Sequence, residues 1–189
     1  MYRDSKLKEY LDHLAAKLPA PGGGSAAALN AGLGASLISM VVNFTLGKPK
    51  YAEYDAELEK ILESSESLRD EFLNLVDLDV TAYQSKNIKE ALDVPLKVCR
   101  LCFQGAGLCP ALVEKGNLNL ISDVAVAAIL LESAFASAYF NVEINLKTLG
   151  DKALTDKIRE ELKEKEKGIK QIRLEMEERV GKIIMPRNI

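Results

Sequence analysis

The sequence contains no tryptophan, and aromatic residues make up only 6% of its 189 positions. A core without large rings must be built from Leu, Ile, Val and Ala, which suits close helix-on-helix packing. Histidine occurs once, at His13, and cysteine three times, at Cys99, Cys102 and Cys109. Zinc normally needs four N or S ligands at recognisable spacings, so a single C-x-x-C with one distant His predicts no metal. The C-x-x-C also sits in an apolar helical stretch without the strand and helix context of a redox motif. Reduced core thiols fit it better, and thiols of that kind point to a cytoplasmic protein. A surplus of positive charge is missing too. Lys and Arg number 25 against 28 Asp and Glu, and the two signs are interleaved, which argues against a nucleic-acid partner.

The chain opens without a basic-then-apolar stretch, and Met1 to Lys17 is polar and helical in period, so no signal peptide is expected. One apolar run, residues 25–46, is about long enough to span a bilayer. It is rich in Ala, Gly and Ser and carries Asn30 and Asn43, which favours a buried helix and no membrane partner. Sustained period-two alternation is absent, which predicts no strands. The expectation is an all-α, single-domain bundle of five or six helices over residues 1–189.

Leu7, Tyr10, Leu11 and Leu14 predict a first helix from about Ser5 to Leu18, stopped by Pro19, Pro21 and Gly22-Gly23-Gly24. Ser25 is a candidate N-cap for the next helix, which runs to about Gly47. Its stripe of Ala28, Gly32, Ala35 and Ser39 permits close backbone approach. A third helix is predicted over about Glu53–Glu90 and a fourth over about Val94–Glu114, interrupted near Gly105, Gly107 and Pro110. The fifth covers about Ser122–Thr148, and the sixth, with a charged outer face, Asp151–Ile184. The small-residue stripe and the apolar stripe of the last helix are wide for one chain to cover, which predicts a homodimer or higher oligomer.

Three constellations could carry chemistry. In the third helix Ile61, Ser65, Leu68, Phe72, Leu75, Asp79 and Ala82 follow steps of three and four, so Asp79 falls on the inward face. A carboxylate there is either bonded to a neighbouring helix end or an Arg, or lines a cavity as an acid-base group with a raised pKa. In the fifth helix Val124, Ala127, Leu131, Ala134, Ala138, Asn141 and Asn145 keep the same rhythm. Two inward amides one turn apart either bond between helices or read the edge of a heterocycle. The third is PAPGGGS leading into a helix, where glycines admit close approach and the helix start presents free N–H groups. It has neither the Gly-Lys-Ser/Thr of a Walker loop nor the preceding strand of a dinucleotide fingerprint.

The stretch PAPGGGSAAALNAGLGASLISMVVNFTLGKPKY resembles the opening signature of the formiminotransferase-cyclodeaminase C-terminal domain family. VDLDVTAY, EALDVPLKV, and GNLNLISDVAVAA continuing into AYFNVEINL resemble three further family motifs in the same order. Together they cover most of residues 5–150. The resemblance implies an all-helical, self-associating enzyme that uses no metal or cofactor. Its substrate would be a tetrahydrofolate carrying one carbon between N5 and N10. It implies Asp79 as the acid-base carboxylate, a pocket lined by Gly22, Gly23, Gly24 and Ser25, and Asp123, Asn141 and Asn145 facing it. For the glutamate carboxylates of such a substrate, Lys48 and Lys50 are the expected cations. The segment between Tyr83 and Val94 is shorter than the family's usual insert, which leaves a non-catalytic folate-binding or assembly protein as the competing class.

Overall fold

The computed structural model describes residues 1–185 and is all-helical over them, with no strand among the described residues. Seven α-helices follow one another: α1 (Leu7–Ala15), α2 (Gly23–Asn43), α3 (Asp55–Ser85), α4 (Ile88–Ala106), α5 (Cys109–Lys115), α6 (Ile121–Leu149) and α7 (Lys152–Ile184). All six helices expected from periodicity are present, the fourth as the pair α4 and α5. Three 3-10 turns, Tyr2–Asp4, Pro49–Tyr54 and Leu118–Leu120, complete the path.

Helix α2 is the axis of the bundle, packed between α3 and α6, with α4 behind them and α7 across α4, α5 and α6. By length and composition α2 could cross a membrane, as could the segments 88–115 and 118–149. Here Ala28, Ala31, Ala35, Ile38, Val41 and Val42 are wholly buried against other helices of the same chain. Small side chains make that central position feasible. Gly32 lies with its Cβ position 3.6 Å from the Cβ of Phe72 on α3, and Gly34 faces Leu131 on α6. One buried polar pair crosses this seam, Ser39 Oγ to Ser65 Oγ at 2.8 Å.

The stripes read from the sequence are the buried faces. Ile61, Ser65, Leu68, Phe72, Leu75 and Ala82 of α3 are buried, as are Val124, Ala127, Leu131, Ala134 and Ala138 of α6. On α7, Ile158, Leu162, Ile169, Met176 and Val180 are buried within the chain. The faces that suggested a wide uncovered surface, residues 28–39 and the α7 stripe, are therefore largely covered internally. Apolar side chains that remain exposed include Leu33 on another face of α2, Val126, Ile129, Phe140 and Ile144 on α6, and Leu154, Leu174 and Ile183 on α7.

The join between the third and fourth helices differs from the expectation of Glu53–Glu90 followed by Val94. Helix α3 ends at Ser85, Lys86 takes a left-handed conformation with φ of 55°, and Asn87 caps α4 by accepting from Lys89 N–H. Glu90 closes the turn by accepting from Ser85 Oγ and Asn87 Nδ2. Pro95 consequently lies inside α4 rather than at its start.

The close α2–α6 approach is open to test. A methyl on Gly34 would stand 2.8 Å from Leu131 Cγ and 3.2 Å from the Ala127 carbonyl oxygen. Gly34→Ala is expected to lower the stability measured by urea unfolding by about 1–3 kcal/mol, despite the gain in helix propensity.

Candidate active site

A cavity of about 290 Å3 opens where the N-terminus of α2 meets α3, α4 and α6. Its wall includes Gly22, Gly23, Gly24, Asp79, Asn141 and Asn145, so six of the eight expected site residues converge. Pro19, Ala20, Tyr83, Ala91 and Ile144 complete it.

Helix α2 begins two residues before Ser25. Gly22 is the N-cap and offers no side chain for that role. The first N–H groups of any helix lack an intrahelical acceptor. The one at Ser25 is met from another helix, since it donates to Asp79 Oδ2 at 2.9 Å. Gly24 makes this contact possible, because a Cβ there would sit 2.1 Å from Asp79 Oδ1. The glycines thus serve a close approach, and no left-handed backbone is involved, Gly22 being extended at φ of −134°. The Ser25 side chain turns away from the cavity into the core, where its Oγ pairs with Tyr10 Oη at 3.2 Å.

Asp79 combines both sequence readings, since it is bonded to a neighbouring helix end and it lines a cavity. Burial raises its pKa above the ordinary carboxylate range, and the hydrogen bond from Ser25 N–H opposes that shift only in part. Among the described residues it has no Lys, Arg or His within ion-pair distance. Asp77, two residues earlier in VDLD, has a different task. It is 7% exposed and accepts from the backbone N–H groups of Tyr2 at 2.5 Å and Arg3 at 3.3 Å, which pins the first turn of the chain to α3.

The amides are oriented by bonds to carbonyl groups, which only accept. Asn141 Nδ2 donates to Ser137 O at 3.1 Å, and Asn145 Nδ2 donates to Ala91 O at 2.5 Å. Each is left with its Oδ1 and one N–H for the cavity. A carboxyl group and two amides around a helix N-terminus can bind a polar heterocycle and move a proton beside it.

Three expected positions lie elsewhere. Asp123 stands in the first turn of α6, and the 18 residues to Asn141 correspond to about 27 Å along the helix. Lys48 and Lys50 follow the C-terminus of α2, about 30 Å from its glycines at 1.5 Å per residue. Lys50 instead stands over the Tyr51 ring, 5.2 Å from its centroid. The Gly116–Asn117 motif is also remote, tied to the end of α2 by Asn117 Nδ2 donating to Phe44 O. Tyr83, Ala91 and Ile144 were not singled out from the sequence. Tyr83 closes the VDLDVTAY motif and stands one turn beyond Asp79 on α3, a signal that was available.

A second cleft of about 540 Å3 lies between α6 and α7 and shares Ile144. Its carboxylate Glu143 is engaged by Arg159 Nε at 2.9 Å, which leaves it poorly suited to proton transfer. Among the described residues no three His, Cys, Asp or Glu side chains are grouped to hold a metal.

The fold and cavity define a helical bundle with a carboxyl-amide site built on a helix start. The sequence profile described as formiminotransferase-cyclodeaminase matches residues 6–87 and 84–164, and the chain belongs to that family. The two matches meet at residues 84–87, at the turn between α3 and α4. Methenyltetrahydrofolate cyclohydrolase of Methylorubrum extorquens is 39% identical over 86% of this chain and 89% of its own length. Formimidoyltransferase-cyclodeaminase of Rattus norvegicus is 33% identical over 82% of this chain, which spans only a third of that longer protein. The crystal structure of formiminotetrahydrofolate cyclodeaminase from Thermotoga maritima superposes with a TM-score of 0.92. It is 31% identical and covers 97% of this chain and 100% of that one.

The contact between glycine and carboxyl makes a paired prediction. Gly24→Ala must displace the Asp79 carboxyl or the start of α2, and should cost about 1–3 kcal/mol in denaturant unfolding. Gly23→Ala places its methyl 3.7 Å from Asn141 Nδ2, an ordinary contact, and should stay within about 0.5 kcal/mol of the parent. Equal effects would contradict the geometry.

Proposed function

We propose that this chain is a folate one-carbon enzyme that hydrolyses 5,10-methenyltetrahydrofolate to 10-formyltetrahydrofolate. The observation that carries the reading is Asp79, a half-buried carboxyl group with raised pKa facing a cavity beside two oriented amides. The 39% identity to a cyclohydrolase of nearly equal length supplies the substrate class.

In this mechanism water attacks the carbon joining N5 and N10 and gives up a proton to Asp79. A C–O bond forms and the positive charge of the methenyl group is lost. The tetrahedral adduct then collapses, breaking the bond from carbon to N5, and the proton on Asp79 passes to N5. The remaining hydroxyl proton is released as the carbonyl of the 10-formyl group forms. Asn141 and Asn145 hold the pterin edge through Oδ1 and the free N–H of each. No cofactor enters this sequence of steps.

The similarity to formiminotetrahydrofolate cyclodeaminase supports a second reading of the same site. There N10 attacks a formimino carbon on N5, and the N10 proton passes to the formimino nitrogen. The bond from carbon to that nitrogen then breaks as ammonia leaves with a second proton from Asp79. Incubation with methenyltetrahydrofolate and, in parallel, with formiminotetrahydrofolate distinguishes the two. Decay of the near-ultraviolet methenyl absorbance marks the first, and ammonia release marks the second.

A homodimer or higher assembly belongs to the same proposal, supported now by the exposed Phe140 (75%) and Ile144 (65%) with Leu33, Val126 and Ile129. A monomer in light scattering at micromolar concentration would refute it. A cytoplasmic setting is supported by three buried, unpaired thiols.

Asp79→Asn keeps the acceptor for Ser25 N–H and removes proton transfer. Turnover should fall by ~10²–10⁴-fold, and survival within a few-fold would exclude the acid-base role. In the parent, turnover should decline as pH falls through the raised Asp79 pKa, because the base must be ionised. Stability moves the other way. A pKa raised by folding means that ionisation favours the unfolded chain, a penalty complete above the folded pKa and absent below about pH 4. Asp79→Asn should therefore melt at or above the parent temperature near neutral pH, and the difference should vanish on acidification.

A further inference from the structure

Pro95 is the eighth residue of α4, an interior position where proline removes one helix hydrogen bond and its ring crowds the carbonyl four residues back. That carbonyl belongs to Ala91. With no N–H at position 95 to receive, Ala91 O is taken from outside the helix by Asn145 Nδ2 at 2.5 Å. Ala91 and Asn145 both line the cavity that holds Asp79. The acceptor vacated by the proline is therefore the one that orients a cavity amide on another helix, 54 residues away in sequence.

We propose that Pro95 is a positioning residue of the active site: by withholding its N–H from Ala91 it frees the carbonyl that holds the Asn145 side chain in place. The proposal rests on the folate reading for its kinetic test, but its geometric content stands apart from any substrate. The orientation of Asn145 follows from chemistry alone, because Ala91 O can only accept and the facing atom must be the amide nitrogen. Asn145 Oδ1 is thereby committed to the cavity. An amide free to rotate would present donor or acceptor indifferently and would bind a pterin edge less selectively.

Restoring an N–H at position 95 lets the helix reclaim Ala91 O and relieves the ring's push on that carbonyl. The variant should thus separate stability from activity. Pro95→Ala is expected to melt at or above the parent temperature, since Ala is far better than Pro within a helix. Its kcat/KM for methenyltetrahydrofolate should fall by about three- to tenfold, the size of one neutral hydrogen bond. If Pro95 acts through Asn145, the loss must disappear in the Asn145→Ala background, where Pro95→Ala should change kcat/KM by less than about twofold. Losses that multiply in the double variant, or an unchanged kcat/KM in Pro95→Ala, would overturn the proposal. Parallel loss of melting temperature and activity would show a merely structural role and would overturn it as well.

A readout that needs no turnover separates this idea from the functional assignment. In the parent protein the side-chain amide of Asn145, assigned by its absence from Asn145→Ala, should give one Nδ2 proton that is shifted downfield and slow to exchange. In Pro95→Ala it should move to the position of a free amide. A free-amide signal already present in the parent would refute the positioning contact, whatever the variant does. A parent inactive on both folates but showing the protected amide would refute the substrate and leave the contact intact.

Discussion

The carboxyl group of Asp79 meets the first turn of α2 at two points. One oxygen accepts the Ser25 N–H at 2.9 Å, and the other occupies the space that a side chain on Gly24 would need. Through this contact α3 caps a helix that has no side-chain cap of its own. The start of α2 is thereby held at a definite height against α3, and the cavity lies at that height. The same group faces two demands. The capping bond favours its charged form, while burial opposes ionisation, and burial prevails. A carboxyl group in that balance keeps its proton to higher pH than a free carboxyl does, while it fixes the geometry around itself.

Around this contact the bundle uses small residues for proximity and large ones for filling. Glycine and alanine bring α2 between α3 and α6, so that Phe72, Leu131 and Phe135 close the interior without tryptophan. The polar groups of the cavity then gather at the one end where α2 starts and where α3 and α6 approach their ends. The opposite end, where Lys48, Lys50 and Asp123 stand, is closed by the Asn117 bonds to α2.

Periodicity made much of this legible. A series such as Ile61 to Ala82 on α3 specifies which face is inward, and the one carboxylate that interrupts it is the one in the cavity. Asn141 and Asn145 emerged from α6 in the same manner. Asp123 comes from the family resemblance rather than from periodicity, and a matching motif fixes no height: that residue stands about 27 Å from Asn141 along the same helix. The length of α2 likewise separates Lys48 and Lys50 from the glycine loop. Other features depended on partners distant in sequence. The N-terminal turn that Asp77 secures lies 75 positions away. The interior placement of Pro95, a residue that favours helix starts, is tolerated because Asn145 meets the released carbonyl. Neither partner is visible in a local window.

The two-residue turn at Lys86 and Asn87 has a consequence for how this architecture diversifies. It joins the helix bearing Asp79 and Tyr83 to the helix bearing Ala91, so it forms the hinge of one cavity wall. Adding residues to a surface loop costs little, roughly 0.6 kcal/mol per doubling of its length. A lineage can therefore lengthen or shorten this connection and reshape the rim while Asp79, held by α2, stays where it is. In the proposed enzyme the rim of the cavity and the carboxyl group would thus rest on separate parts of the chain, so that one could drift while the other is retained.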